Sequence, residues 1–291
     1  RPPPPTPAPA PRRTDMGACA GSASAAIAGR YALSPDLELG SGSQGTVFLA
    51  KDRQNKNRTV AVKRSPVVSE SARCFLEREV LIMRDLDHPN ICRLLDYYEQ
   101  GAAIFFVMEL CPGGDLAERL LQEGRLPEPR ASRILRQVAD GLAHAHSRGI
   151  AHRDLKPENV CLCRRGDVED HVKLIDWGLG SYFHGNVMTA CVGSITYTAP
   201  EVLESLVTGK RYTQACDLWS LGVVAYAVLV GRFPFWGDRD ELVEAAKLEQ
   251  YPTSCTIWNE LCQEAKDFIR SLLRYQPEDR LGIKAAQAHP W

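Results

Sequence analysis

The chain has 291 residues, of which 44% are hydrophobic and 24% charged, and its formal net charge is −1. This length suffices for one large domain or two smaller lobes, and the balanced charge gives no general attraction to nucleic acid or to an anionic membrane surface. The longest apolar run, at residues 221–231, is too short to cross a bilayer, and the proline-rich start is not typical of a signal peptide. We therefore expect a soluble protein that has no nucleic acid among its partners.

The ten cysteines are scattered along the chain and include no CxxC pair, and no His-rich segment accompanies them as a zinc site would require. We expect reduced thiols and a cytoplasmic location, because disulfides are rare in that compartment. Cys161 and Cys163, the closest pair, have the spacing of two small buried side chains on one face of a strand.

Residues 1–30 are rich in proline, alanine, serine and glycine and offer almost no large apolar side chain to a core, which predicts a disordered tail. This tail contains the motif MGACAGS at residues 16–22. If translation begins at Met16, Gly17 is a candidate for myristoylation and Cys19 for palmitoylation, and only this acylation would attach the protein to a membrane. The alternative is an internal methionine in an unstructured tail.

Strand-type sequence begins at Tyr31, and the runs at residues 46–52 (TVFLAKD) and 59–65 (TVAVKRS) predict two strands joined by a charged turn. A helix is predicted over residues 72–87, and beyond Gly113 the periodicity is mainly helical. Apolar residues there form two stripes at helical spacing. The stripes are Ile134, Val138 and Leu142, and Ala265, Phe268, Ile269, Leu272 and Leu273. A small β-rich lobe is therefore expected before a larger helical one.

A glycine-rich segment, LGSGSQGTV, follows the first predicted strand, and its glycines would let backbone amides approach a polyphosphate closely. By itself such a segment is more often a flexible turn, and a dinucleotide site would need a strand before it and a helix after it. Strand-type sequence on both sides favours a flap over phosphates instead. The candidate nucleotide-binding residues of this flap are Leu39, Gly40, Ser41, Gly42, Ser43, Gln44, Gly45, Thr46 and Val47.

The next predicted strand carries a cation, Lys63, which is suited to the α- and β-phosphates of a nucleotide. An ordinary surface lysine is the alternative interpretation. Two carboxylates of the predicted helix, Glu77 and Glu79, are candidates to hold this lysine in place.

The segment AHRDLKPEN at residues 151–159, followed by IDWG, is the most informative part of the chain. Asp154 can orient an acceptor hydroxyl and take its proton, while Lys156 can contact a migrating phosphoryl group. Asn159 and Asp176 offer the hard oxygen ligands that Mg²⁺ prefers. An isolated Asp or Asn would more often be a helix cap or a turn former, but the complete string indicates phosphoryl transfer.

Together these motifs resemble the protein kinase family from about Tyr31 to Trp291, and Lys156 in HRDLKPEN is similar to its serine/threonine class. The resemblance implies an α+β bilobal fold with a small N-lobe at residues 31–111, a larger helical C-lobe at residues 112–291 and an ATP cleft between them. It favours Glu79 over Glu77, because Glu79 stands nine residues before the histidine of HPNI. It also implies a Glu201–Arg280 ion pair and an Asp217 that anchors the catalytic loop.

The same resemblance implies ATP and Mg²⁺ as cofactors and Ser/Thr-containing protein substrates. Ala61 and Met108 would lie at the adenine, and backbone groups of Glu109 and Cys111 would read its edge.

Within the family, the segments GRFPFWGDRDEL, EAKDFIRSLL and AAQAHPW look like the calmodulin-dependent group, and most like calcium-dependent protein kinases. Asp115 matches the acidic position that reads an arginine three residues before the acceptor hydroxyl, and Glu158 is expected to assist. A helix cap or a ribose contact is the alternative role of Asp115. In that group a calcium-binding regulatory region follows HPW. The chain contains no calcium-binding DxDxDG loop, so calcium sensing by these residues is not expected, and any such regulatory segment would lie beyond Trp291.

Three departures from the family pattern stand out. Gln44 replaces the aromatic residue often found at the flap tip, Trp177 replaces the usual phenylalanine after the metal-binding aspartate, and Ala190, next to Thr189, replaces a common activating threonine. None of them removes a catalytic group.

Two other functions remain open from the sequence. A pseudokinase scaffold would be expected to lack the lysine, aspartate or asparagine of the motifs. A small-molecule phosphotransferase would not need residues 193–201, which in the family form a platform for a polypeptide.

Overall fold

The computed structural model describes residues 26–42, 44–55, 58–164, 170–183, 188 and 195–291. They divide into two compact units. The smaller unit consists of the described residues up to Val80 together with Leu94–Leu110, and the larger unit consists of Leu81–Arg93 and the described residues from Cys111 onward. An antiparallel sheet comes first and a mainly helical region follows, so the predicted α+β class is confirmed.

Five antiparallel strands form the sheet of the smaller unit, in the order β1-β2-β3-β5-β4. They are β1 (Tyr31–Gly42), β2 (Gly45–Asp52), β3 (Thr59–Pro66), β4 (Leu94–Gln100) and β5 (Ala103–Glu109). β2 and β3 pair from Thr46 opposite Arg64 to Lys51 opposite Thr59. The two strands expected from their β-branched, alternating sequences are therefore present to within a residue at each end.

A short helix, α1 (Ala26–Arg30), precedes the sheet. Ile27 is 3% exposed and packs in one apolar cluster with Tyr31 and Val60, while Arg30 donates to Asp96 at 3.0 Å. The prediction of a disordered tail is therefore wrong for residues 26–30, because the apolar side chain of Ile27 packs into the core. Residues 1–25, and with them the candidate acylation sites, lie outside the described residues.

The helix predicted at residues 72–87 is α2 (Glu70–Asp85), so the prediction was two residues late at each end. The amide of Ala72 donates to Ser69 Oγ at 3.1 Å, and this serine caps the helix start.

Short strands and the remaining helices belong to the larger unit. They are α3 (Leu116–Glu123), α4 (Glu128–Ser147), β6 (Ile150–Ala151), β7 (Val160–Leu162), β8 (Val172–Leu174), β9 (Ser181–Tyr182), α5 (Pro200–Thr208), α6 (Ala215–Val230), α7 (Arg239–Lys247), α8 (Thr256–Glu260), α9 (Gln263–Leu272) and α10 (Ile283–Gln287). α6 is buried along its whole length, and α4 and α9 pack against it with the two predicted apolar stripes buried. No helix within the described ranges has the length and apolar character needed to cross a membrane.

The units differ from the expected lobes at Leu81–Arg93 and at Cys111, which belong to the larger unit. Asn90 O accepts from Leu174 N and Cys92 N donates to Leu174 O, both at 2.8 Å. Asn90 Nδ2 also donates to Val172 O at 2.9 Å. These bonds to β8 tie the segment to the helical part of the chain.

Candidate active site

In the smaller unit, β3 and α2 bring Lys63 and Glu79 together. Lys63 Nζ donates to Glu79 Oε1 at 2.9 Å, and the two residues are only 8% and 3% exposed. The ammonium also lies 5.6 Å from the ring centroid of Phe106 on β5. Lys63 is therefore a buried, paired cation and not an ordinary surface lysine, and its carboxylate is the one that the spacing to HPNI favours. Breaking such a pair from one side typically costs about 3–5 kcal/mol.

The glycine-rich segment forms the hairpin between β1 and β2, with Gly42 paired to Gly45 and Gly40 to Val47. Gly45 has φ +138°, and a Cβ there would lie 2.2 Å from Arg64 O, so only glycine fits. At the turn, Gln44 Oε1 accepts from Lys63 Nζ at 2.9 Å. Ser43 lies outside the described residues, and the hydroxyls of Ser41 and Thr46 lie 3.4 Å apart.

Two of the residues expected at the adenine lie opposite each other in the sheet, since Ala61 of β3 pairs with Met108 of β5. Directly opposite residues of an antiparallel pair point to the same face. Leu39 is half exposed in β1, and Glu109 is the last residue of β5. Cys111 belongs to the larger unit.

In the larger unit, the loop after β6 brings together two of the predicted catalytic side chains and one predicted metal ligand. Asp154 Oδ2 lies 2.9 Å from Lys156 Nζ and accepts from Asn159 Nδ2 at 3.1 Å. Asn159 Nδ2 also donates to the backbone carbonyl of Asp154 at 2.7 Å. Both side-chain bonds of Asn159 use its amide nitrogen, so the amide oxygen keeps its lone pairs for a cation.

Asp217, at the start of α6, holds this loop in place through hydrogen bonds. It is fully buried, its Oδ2 accepts from His146 Nε2 at 2.8 Å and from His152 N at 2.9 Å, and its Oδ1 accepts from Arg153 N at 2.8 Å. Burial acts to raise the pKa of Asp217, but the hydrogen bond and charge of His146 outweigh it and the pKa lies below its ordinary value. Arg153 has φ +70°, a left-handed conformation that these bonds hold in place.

Asp176 follows β8 and also has a left-handed backbone, with φ +59°. The amide of Ile175 donates to the carbonyl of Asn159 at 3.0 Å, which places the two predicted metal-binding segments side by side. Trp177 is completely buried, and its ring centroid lies 4.6 Å from that of His152. Its indole Nε1 is buried and has no hydrogen-bond partner among the described residues.

The two candidate substrate-reading acids belong to neighbouring elements, since Asp115 begins α3 and Glu158 lies in a 3₁₀ turn that contacts α3. Asp115 Oδ1 accepts from Glu118 N at 2.8 Å, so this aspartate caps α3, the alternative role that the sequence left open. Glu158 is exposed in the 3₁₀ turn Pro157–Asn159. Burial, and then the negative charge of Glu158, raise the pKa of the Tyr197 hydroxyl, which places the carboxylate near this tyrosine.

The predicted pair of Arg280 and Glu201 is bidentate, with N···O distances of 2.7 and 2.6 Å. The guanidinium also donates to the carbonyls of Arg274, Ala215 and Tyr275. Two further contacts escape sequence reasoning, namely Gln44 with Lys63 and His146 with Asp217. The one available signal for His146 is its position four residues after Leu142, on the buried stripe of α4.

Residues 34–291 match the family model described as the protein kinase domain. The chain is 41% identical over 219 residues to a Dictyostelium discoideum protein named "probable myosin light chain kinase", covering 75% of this chain and 68% of the other. It is 36% identical over 271 residues to calcium/calmodulin-dependent protein kinase type 1 of Macrobrachium nipponense, with 91% and 76% covered. It is 37% identical over 257 residues to calcium-dependent protein kinase 3 of Plasmodium berghei, with 87% of this chain but only 45% of that protein covered.

The chain therefore belongs to the protein kinase domain family. Within the family it is a serine/threonine kinase-type sequence, similar to the calcium/calmodulin-dependent and calcium-dependent protein kinases, as the motifs indicate.

Proposed function

We propose that this chain is an active serine/threonine kinase that transfers the γ-phosphoryl group of Mg·ATP to protein hydroxyls. The observation that carries the proposal is the cluster of Asp154, Lys156 and Asn159 on a loop that buried Asp217 holds in place. The acceptor oxygen bonds to the γ-phosphorus, the bond to the β–γ bridging oxygen breaks, ADP leaves, and Asp154 takes the hydroxyl proton.

The donor set of the larger unit suits a magnesium ion. Mg²⁺ usually binds through one or two protein oxygens together with water and substrate phosphates, and not in a cage of protein groups. The amide oxygen of Asn159 and the carboxylate of Asp176 are such a pair, and no cluster of three or more His, Cys, Asp or Glu within the described ranges could hold a metal. When bound, the ion would neutralise phosphate charge, so Asp176→Asn should raise the Mg²⁺ concentration needed for nucleotide binding.

A pseudokinase scaffold is the second candidate, and the paired, buried Lys63 argues against it. Keeping a buried lysine and its carboxylate gives little net stability, so a scaffold released from catalysis would have no need of the pair. A small-molecule phosphotransferase remains the third candidate, and only the acceptor distinguishes it.

Phosphate transfer to a Ser/Thr peptide library, compared with transfer to sugars and aminoglycosides, tests the proposal. The wild type should phosphorylate peptides, and Asp154→Asn should lower turnover about 10²- to 10⁴-fold while nucleotide affinity stays within twofold. Transfer to small molecules alone, or Asp154→Asn activity above about a tenth of wild type, would contradict it.

We further propose a preference for arginine three residues before the acceptor, read by Asp115 with help from Glu158. Capping occupies one carboxylate oxygen, while the negative charge of Asp115 remains available to a guanidinium. Asp115→Asn separates the two roles, because asparagine caps a helix equally well but carries no charge.

We expect Asp115→Asn to melt within about 2 °C of the wild type and to lose roughly 10-fold in its Arg-over-Ala preference at that peptide position. Glu118→Gln, one turn further along α3, is the matched control and should keep the preference. If the wild type phosphorylates peptides with Arg and with Ala at that position equally well, this part of the proposal is wrong.

A cytoplasmic location, with membrane attachment only through acylated Gly17 and Cys19, is proposed on the composition and the motif of the sequence alone. Mass spectrometry of the native N-terminus tests the acylation, which is excluded if residues upstream of Gly17 are found on the mature protein.

A further inference from the structure

The tip of the glycine-rich hairpin is bonded directly to the lysine of the Lys63–Glu79 pair. One N–H of the Lys63 ammonium donates to Gln44 Oε1 and another to Glu79 Oε1, both at 2.9 Å. An ammonium group has three donors and no acceptor. The glutamine amide thus takes one of the few positions through which this buried cation can bind an anion.

The backbone of the hairpin makes this contact possible. Val47 of β2 lies opposite Lys63 of β3, and Gly45 approaches the backbone of Arg64 so closely that a side chain would not fit. The turn that carries Gln44 therefore lies over β3, within reach of the ammonium. A phenylalanine at this position would have no oxygen to offer to Lys63, and no aromatic side chain has an amide oxygen, so this contact depends on the departure from the family pattern.

We propose that Gln44 is a positioning residue that holds the hairpin closed on Lys63 until a nucleotide phosphate displaces its amide oxygen. This inference rests on the proposed function, in which Lys63 binds the phosphates of ATP. The amide is neutral and leaves the charge balance of Lys63 and Glu79 unchanged. A phosphate oxygen is charged and makes the stronger hydrogen bond, so it can replace the amide.

The closed hairpin lowers apparent nucleotide affinity, because a ligand that binds only the open form is weakened by the fraction of protein that is open. A hydrogen bond to a charged group is strong enough to give about a 10-fold population difference. The hairpin tip is partly exposed, so we expect Gln44→Ala to bind ADP about 3- to 10-fold more tightly than the wild type.

Calorimetric titration of the full chain with ADP and with adenosine tests this inference without turnover. Adenosine carries no phosphate to compete for Lys63, so its affinity should be the same in the wild type and in Gln44→Ala. Gln54→Ala, the same change in the neighbouring turn between β2 and β3, is the matched control and should leave both affinities unchanged. Gln44→Met keeps the length of the side chain without the acceptor and replaces Gln44→Ala if that variant does not fold.

Hydrogen exchange of residues 39–47 in the nucleotide-free protein gives an independent readout. Loss of the bond to Lys63 should speed exchange of these amides in Gln44→Ala several-fold, with no change in Gln54→Ala. Unchanged or weaker ADP binding by Gln44→Ala, or unchanged exchange, overturns the inference while the proposed function stands. A wild-type protein that binds no ADP at all overturns the proposed function, and this inference with it.

Discussion

Asp217→Asn is the substitution that most directly tests how the catalytic loop is held. The two oxygens of Asp217 accept three hydrogen bonds from nitrogen, two at Oδ2 and one at Oδ1, and Oδ1 also accepts a long one from Cys216 Sγ at 3.9 Å. Asparagine keeps the shape but has a single oxygen. That oxygen is expected at the Oδ2 position, where His146 and His152 N donate, which leaves the NH₂ group facing the amide of Arg153.

The variant therefore loses one charge-assisted hydrogen bond and sets two donors against each other in a buried site. Hydrogen bonds to charged groups contribute about 1.5–3 kcal/mol, and a buried unsatisfied donor adds to the loss, so we expect destabilisation of about 3 kcal/mol. For a chain of this size, 1 kcal/mol shifts the melting temperature by about 2–4 °C, which gives a decrease of about 6–12 °C. Turnover should fall as well, because Asp154 follows Arg153 directly in the loop.

Thermal unfolding and peptide phosphorylation measure the two effects. Asp87→Asn, an exposed aspartate of the same unit, is the control and should melt within about 1 °C of the wild type. A melting temperature of Asp217→Asn within 2 °C of the wild type, with normal turnover, would refute the view that Asp217 anchors the loop.

The depressed pKa of Asp217 adds a pH signature. A carboxyl group whose pKa is lower in the folded state contributes stability above its unfolded value, and this contribution is lost as the pH falls through the folded value. The difference in unfolding free energy between the wild type and Asp217→Asn should thus be constant from pH 7 to pH 5. It should shrink below the ordinary value of 3.8.

Three further predictions concern buried groups. Arg280→Met should lower the free energy of unfolding by about 3–5 kcal/mol, measured by denaturant titration, because Glu201 loses a bidentate partner; a loss under 1 kcal/mol would contradict this. Trp177→Phe should raise the melting temperature, since it removes a buried indole N–H that has no hydrogen-bond partner in the described part of the chain, and a buried unsatisfied donor costs about 1–3 kcal/mol; an unchanged or lower value argues against that cost. Glu79→Gln should weaken ADP binding at least tenfold, because Lys63 is then free to reorient, whereas Glu77→Gln should not. Equal effects of the two substitutions would refute the assignment of Glu79 as the partner of Lys63.

Regular elements were predictable where one face is buried and the other is not. The alternating run that became β3 and the stripe of Ile134, Val138 and Leu142 on α4 each show the period of their structure. Helix ends were less predictable, because the start of α2 depends on the single hydroxyl of Ser69. The short helix α1 was missed because one isoleucine in a polar, proline-rich segment gives no period at all.

The candidate site also contains residues that the sequence could indicate and contacts that it could not. Residues within contiguous motifs, such as Asp154 and Asn159, could be singled out because the motif depends on local spacing, and their roles stay predictions. Two contacts between distant positions could not, since Gln44 stands 19 residues from Lys63 and His146 stands 71 residues from Asp217, whereas the Glu201–Arg280 pair, 79 residues apart, was predicted only because the family resemblance implies it. Nothing in the sequence between them specifies that these side chains meet, and only the packing of α4 against α6 and of the hairpin over β3 does so.

Asp115 shows a third case, in which the residue is predictable and its role is not. A helix N-cap and an arginine-reading site both select a short carboxylate, and both place it just before an apolar helical run. The bond to Glu118 N accounts for the aspartate by itself, so its presence cannot count as evidence for a basic substrate. Capping, however, is served equally well by Asn or Ser, whereas recognition of arginine requires the charge. Substrate preference must therefore be decided by a change of charge at constant capping, which is why Asp115→Asn is more informative than the charge reversal Asp115→Lys, in which both roles are lost together.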